Sequence, residues 1–203
     1  MTILHRPLIA AAVLALAAGL AQAERADRDK PMNVEADAMR YDDLKQVNVF
    51  TGRVVVTKGT ILARGERVEV WKDAQGYQFG TITAAPGQRA FYRQKREGLD
   101  EFIEGEGEVI HYDGRADKVT FTRRAIMRRL AKDKLQDEVT GDVIVYNNVT
   151  EVFTVDAARP GAKDPSGRVR AMLSPQPSAS SPQPPAQPPA TLRPSTRLGT
   201  EKQ

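Results

Sequence analysis

Glu101, Glu104, Glu106 and Glu108, interleaved with Gly105 and Gly107, form the densest acidic stretch of the sequence. Paired carboxylates of this kind can hydrolyse glycosides or supply oxygen ligands to calcium, and a solvated turn between strands accounts for the same acids. The densest basic stretch is Arg123, Arg124, Arg128, Arg129, Lys132 and Lys134. Guanidinium groups bind phosphate bidentately, so Arg123, Arg124, Arg128 and Arg129 are candidate contacts for the phosphates of an anionic lipid. A charged strand edge that discourages aggregation is the plainer alternative.

Other reactive groups are scarce. The sequence has no cysteine and only two histidines, His5 and His111, so a thiol nucleophile is excluded and a histidine-based metal site within one chain nearly so. No Gly-rich phosphate loop or nucleophilic serine motif stands out. These residues point away from catalysis, and no metal or cofactor is expected.

What remains is the framework. Residues 1–23 open with His5 and Arg6, continue in an apolar run from Leu8 to Leu20 and end in Ala21-Gln22-Ala23. That is the form of a cleaved secretory signal, and the apolar run is too short to span a bilayer. Residues 24–31 read as a flexible N-terminus. At the other end, 157–203 carries ten of the thirteen prolines and seven basic residues (Arg159, Lys163, Arg168, Arg170, Arg193, Arg197, Lys202) against Asp164 and Glu201. Such a segment cannot bury enough apolar surface to offset its ordering entropy, and it is expected to be disordered. Because the basic surplus lies in this tail of an exported chain, nucleic acid is not expected as a partner.

The body, 32–156, reads as strands. Val47–Phe50, Arg53–Val56, Arg67–Trp71, Lys118–Phe121, Val143–Tyr146 and Val152–Val155 alternate in polarity between Asp, Gly, Asn and Lys turns, the pattern of an antiparallel all-β domain. Arg123–Gln136 has some helical flavour but follows a strand directly, and is assigned as a hairpin. Four segments share one form: Ala36-Asp37-Ala38-Met39-Arg40-Tyr41, Gly65-Glu66-Arg67-Val68-Glu69-Val70, Gly107-Glu108-Val109-Ile110-His111-Tyr112 and Gly141-Asp142-Val143-Ile144-Val145-Tyr146. Each reads as one arm of a hairpin. Side chains alternate faces along a strand, so Met39/Tyr41, Val68/Val70, Ile110/Tyr112 and Ile144/Tyr146 share an apolar face. Stacked hairpins of this kind make a sandwich or roll with a greasy interior, and ordinary core packing explains part of every such position.

The ordered series Glu35-Ala36-Asp37, Phe50-Thr51-Gly52-Arg53-Val54-Val55-Val56-Thr57-Lys58-Gly59-Thr60, Gly65-Glu66-Arg67-Val68, Ala90-Phe91-Tyr92-Arg93-Gln94-Lys95, Glu104-Gly105 before Ile110-His111-Tyr112, and Gly141–Tyr146 resembles the OstA-like family of periplasmic lipopolysaccharide transport proteins over about 32–155. The sequence departs from the family pattern at Phe121-Thr122-Arg123-Arg124, which lacks the glycine, so that turn is expected to be reshaped. It also departs at Gly65-Glu66 and Gly107-Glu108, where Glu replaces Asp.

The resemblance implies an open, twisted antiparallel β-jellyroll, a V-shaped two-sheet trough that shelters lipid A acyl chains in the periplasm. The implied lining is Met32, Val34, Met39, Tyr41, Phe50, Val54, Val56, Val68, Val70, Phe91, Ile110, Tyr112, Phe121, Ile144 and Tyr146. The implied partners are lipopolysaccharide, an inner-membrane transport complex (through an LptC-type jellyroll), an outer-membrane assembly protein (through an LptD-type N-terminal jellyroll) and further copies of the chain, head to tail. Two alternatives remain open: a structural envelope protein with a closed core, and the ectodomain of the related inner-membrane partner, which would keep its N-terminal anchor. The mass of the exported product separates the last, with a first residue of Glu24 expected and a retained 1–23 segment counting against the signal.

Overall fold

The computed structural model describes Asp27, residues 30–157 and residues 168–175; the expected signal at 1–23, the Pro-rich run and most of 24–31 lie outside them. Among the described residues, short alternating apolar runs between turn-forming residues produce twelve strands. These are β1 (Met32–Glu35), β2 (Ala38–Asp42), β3 (Val47–Lys58), β4 (Ile61–Lys72), β5 (Gln78–Thr83), β6 (Ala90–Lys95), β7 (Glu101–Gly107), β8 (Val109–Asp113), β9 (Lys118–Ala131), β10 (Lys134–Asn147), β11 (Phe153–Asp156) and β12 (Arg170–Leu173). The stretch assigned as a hairpin, Arg123–Gln136, is one: β9 turns into β10 at Lys132-Asp133, both at positive φ.

Four strands, β3, β4, β9 and β10, run 12 to 14 residues and change partners midway. The first half of β3 pairs with β2 and its second half with β1. Likewise β4 serves β6 then β5, β9 serves β8 then β7, and β10 serves β12 then β11. Two antiparallel sheets result, folded on one another along a crease that the four long strands cross. The first sheet runs β2-β3-β4-β5-β8-β9-β10-β11 and the second β1-β3-β4-β6-β7-β9-β10-β12. Among the described residues the strands at each end have one partner apiece, and the architecture is an open, twisted β-jellyroll shaped as a V.

Register aligns the apolar positions into rows across each inner face. In the first sheet Met39, Phe50, Val68, Ile82, Ile110, Phe121, Ile144 and Val155 stand opposite one another in turn. In the second the row is Val34, Val56, Ala63, Tyr92, Gly105, Met127, Val139 and Ala171. These rows meet where Phe121, fully buried, lies over Gly105 and contacts Tyr92 edge-on with ring centroids 6.2 Å apart.

The structure departs from the sequence reading after the body. Arg170–Leu173 falls in the segment expected to be disordered, yet it pairs with Asp137–Thr140 as β12. A short Val-Arg-Ala-Met-Leu run is enough to add an edge strand where β10 offers an unpaired backbone. In the segment read as a flexible N-terminus, Asp27 accepts bonds from the Thr60 backbone N–H (2.8 Å) and hydroxyl (2.5 Å).

A Cβ at position 105 would overlap the Phe121 ring. Gly105→Ala should therefore destabilise the domain by about 1–3 kcal/mol through overpacking, read as a lower urea midpoint. Adding Phe121→Leu should recover part of the loss; an unchanged midpoint in the single variant contradicts the contact.

Candidate functional site

The inner faces of the two sheets are apolar in depth and polar at the rim. Nearest the crease the side chains are small, with Val54, Gly65, Ala90, Gly107, Ala125 and Gly141 at the points where strands pass from one sheet to the other. Small residues let the backbones converge. Next come the two rows described above, with Val68, Ile110, Phe121 and Ile144 essentially removed from solvent.

Toward the lips the composition shifts. The first sheet presents Tyr41, Asn48, Val70, Gly80, Tyr112, Val119, Tyr146 and Phe153. The second presents Met32, Lys58, Ile61, then Gln94, Ile103, Arg129, Asp137 and Leu173. Lys58, 8% exposed, donates to Gln78 Oε1 at 2.9 Å, and Arg129 pairs with Asp137 across the strand. Buried charge is tolerated only when paired in this way.

Space inside the V is limited. An apolar cavity of about 50 Å³ lies among Val56, Ile61, Ala63, Val68, Val70, Ile82, Tyr92 and Tyr112. A larger cleft of about 360 Å³ opens beside the β11 and β12 edge, lined by Ile103, Met127, Val139, Tyr146, Phe153 and Leu173 with Arg129 and Asp137. The depth of the trough is packed; its free volume lies near the rim and at one end. Both ends leave apolar groups in solvent: Met39 (60% exposed) and Tyr41 (48%) at the β2 edge, Phe153 (41%) and Leu173 (68%) at the other.

The crease is built twice by the same device. In β3, Gly52 and Arg53 adopt φ of 79° and 48°, with a register shift between Thr51 and Val54, the signature of a bulge that bends a strand. Asp37 donates its backbone N–H to the Gly52 carbonyl (3.0 Å) and accepts from the Arg53 guanidinium at 2.5 and 3.1 Å. In β9, Arg123 and Arg124 adopt φ of 62° and 51°. There the Glu108 N–H bonds the Arg123 carbonyl (3.1 Å), and its carboxylate accepts from Arg123 and Arg124 at 2.8 and 2.9 Å. The turn expected to be reshaped by loss of glycine keeps its left-handed geometry: the two Glu108 bonds and the backbone bond hold an arginine in a conformation that ordinarily favours glycine. The arginine bonds lower the carboxyl pKa of Glu108 below the usual glutamate value, as Arg53 lowers that of Asp37. The second residue of the shared repeat is thus a crease clamp in the first and third copies.

Most of the lining named from the sequence does converge. Met32, Val34, Phe50, Val54, Val56, Val68, Val70, Ile110, Tyr112, Phe121, Ile144 and Tyr146 all belong to the core or pack against it. Met39 and Tyr41 share that face but sit at its exposed edge. Phe91 faces the other way: it pairs with Arg64 and Glu106 on the outer surface, under the Arg64 guanidinium, and its neighbour Tyr92 is the inward residue. A single-residue shift in register reverses the face, and composition gives no means of choosing between adjacent aromatics. Ile61, Ala63, Ile82, Ile103, Val119, Met127 and Val139 are buried lining that the repeat pattern missed; all seven lie outside the four repeats, and the signal that finds them is period-two continuation along β4, β5, β7, β9 and β10.

The candidate phosphate contacts are already engaged. Arg123 and Arg124 hold Glu108, Arg128 holds Glu106 and Glu138, and Arg129 holds Asp137. The acidic stretch supplies the partners. Glu104 pairs with Arg93 and Glu106 with Arg89 and Arg128, a charge ladder on the outer face of the second sheet.

The family described as LptA/(LptD N-terminal domain) LPS transport protein matches residues 33–152. The lipopolysaccharide export system protein LptH of Pseudomonas aeruginosa is 29% identical over 171 residues, 84% of this chain and 93% of that one. The lipopolysaccharide export system protein LptA of Escherichia coli K12 is 31% identical over 140 residues, 68% of this chain and 71% of the relative. The crystal structure of LptH, described as the LptA-homologous periplasmic component of the lipopolysaccharide transport device of P. aeruginosa, superposes with a TM-score of 0.63 at 25% identity, covering 74% of this chain and 99% of that one.

A depressed carboxyl pKa stabilises the fold above the unfolded-state value, and the gain is lost as pH falls through the folded-state value. The protein should therefore lose part of its stability as pH drops below the ordinary glutamate range. Glu108→Gln should be less stable at neutral pH and show a flatter acid limb in urea titrations. Parallel acid limbs for the two proteins contradict the clamp.

Proposed function

The chain belongs to the family of LptA/(LptD N-terminal domain) lipopolysaccharide transport proteins, and from that premise we propose that it is a periplasmic carrier that receives the acyl chains of lipopolysaccharide between its two sheets. The observation that carries this reading is the pair of apolar rows that face each other across an open V, continuous from one exposed edge to the other. Each methylene removed from water is worth about 0.8 kcal/mol, so tens of methylenes crossing an aqueous compartment unsheltered cost on the order of 40 kcal/mol. A trough removes most of that penalty without chemistry, and polar sugars can remain at the charged rim. Loading requires the sheets to part, because the depth is packed in the absence of cargo.

The exposed apolar ends support a second part of the proposal. Among the described residues, β1 and β2 at one edge, and β11 and β12 at the other, have no strand partner on their outer side, beside Met39, Tyr41, Phe153 and Leu173. Strand addition by a related jellyroll satisfies those groups and continues both rows into the next module. Further copies of the chain, head to tail, and jellyroll domains of inner- and outer-membrane transport proteins fit such edges. Contacts of this heterologous kind form open chains of subunits.

A photoreactive residue at Ile110, on the inner face, is expected to capture lipopolysaccharide, while the same residue at His111, one position on and facing outward, is not. Capture at both positions alike, or at neither, contradicts the carrier reading.

A further inference from the structure

Polar side-chain bonds join the two lips of the V. The second sheet's lip includes the turn 96–100 between β6 and β7; the first sheet's includes the turn 148–152 between β10 and β11. Arg96 reaches from one to the other. Its side chain, 12% exposed, donates through Nη2 to Glu151 Oε2 at 2.5 Å, and through Nη1 to Glu101 on its own hairpin. The Arg96 backbone N–H also bonds the Glu101 carbonyl at 2.9 Å, which fixes the base of the side chain. Beneath it lies a cavity of about 90 Å³ whose lining includes Ile61, Ile103, Tyr112 and Tyr146. Ion pairs such as Arg93–Glu104, Arg128–Glu138 and Arg115–Asp73 lie instead within one sheet. Lys58 to Gln78 is a second bond between the lips, at the β1 side of the mouth.

We propose that the Arg96–Glu151 ion pair is a latch across the mouth of the trough, which keeps the empty sheets closed and parts when an acyl chain enters. The proposal rests on the carrier reading for its cargo, but the latch is a property of the empty chain. The crease is fixed by apolar packing of Phe121 on Gly105 and by two carboxylate clamps, so the lips are where the V can open. Opening there breaks a few polar bonds whose groups can rehydrate at the rim, whereas opening at the crease exposes the core. Arg96 is anchored to its own hairpin by Glu101 and so stays in place when Glu151 leaves. A bond that forms and breaks without displacing the guanidinium suits a reversible closure.

The chain has no cysteine, so Glu97→Cys and Val149→Cys can carry a pair of spin labels, one on each lip, and electron–electron double resonance reads the distance between them. Glu151→Gln should shift and broaden the distribution toward longer distances, and should raise the uptake rate of cis-parinaric acid roughly fivefold or more, the effect expected for loss of about one kcal/mol. Arg96→Glu combined with Glu151→Arg should restore the short distance, and Glu101→Gln, which leaves the cross-mouth bond in place, should not widen it. An unchanged distribution in Glu151→Gln, equal widening in Glu101→Gln, or no restoration by the charge swap overturns the latch. Should Glu151→Gln lose its β-sheet circular dichroism, the swap decides alone: a short distance supports the latch and a long one overturns it. Lipopolysaccharide added to the labelled, otherwise unaltered chain should widen the distance. Photocapture at Ile110 without widening overturns the latch and leaves the carrier reading standing; absence of photocapture overturns the carrier reading and the cargo role of the latch together.

Discussion

Where Phe121 of the first sheet meets Gly105 of the second, a phenyl ring fills the volume that a side chain on the facing strand would need. That contact sets how closely the two sheets approach, and the remaining features follow from the approach. Small residues line the crease because backbones converge there. Larger aliphatic groups follow as the V widens, and charged groups appear only where water can reach. A bulkier residue at 105 pushes the sheets apart, and a smaller one at 121 leaves a void that the surrounding strands fill only in part.

The same geometry reconciles a packed interior with a carrier's task. Permanently hollow apolar cavities forfeit dispersion contacts along their walls, and a domain of this size has little stability to give up. A V that closes on itself keeps those contacts when empty. Its crease is over-determined by Asp37 and Glu108, each binding both a backbone carbonyl and one or two guanidiniums across a bulge. Its rim is joined by a handful of polar bonds. Opening therefore starts at the lips, the side from which an amphiphile would enter with its sugars left in water.

Much of this was legible in the residues. Period-two alternation located six of the strand runs, the four repeats located the inward face, and twelve of the fifteen lining residues that the resemblance implies belong to the core or pack against it, Phe50 and Tyr146 among them. What was not legible is what depends on contacts distant in sequence. Phe91 and Tyr92 are adjacent aromatics, and only the pairing of β6 with β4 decides which turns inward. Arg123 reads as a missing glycine until Glu108 is seen to hold it. The four arginines offered as phosphate contacts look free in the sequence because their carboxylate partners come from β7, β10 and the β7–β8 junction. The edge strand β12 lies in a Pro-rich context that conceals its single apolar run.

Carriage depends on the inner face receiving acyl chains between Phe121's row and the row opposite. Solution NMR on protein carrying ¹³C-labelled methyl groups, with deuterium elsewhere, tests this directly through intermolecular nuclear Overhauser effects to the acyl methylenes of added lipopolysaccharide. Cross-peaks are expected from the methyls of Val68, Ile110, Ile144 and Val139, with none from Thr81, Thr120 or Val145 on the opposite face of the first sheet. Cross-peaks confined to those outer methyls, with the inner ones unperturbed, would contradict it.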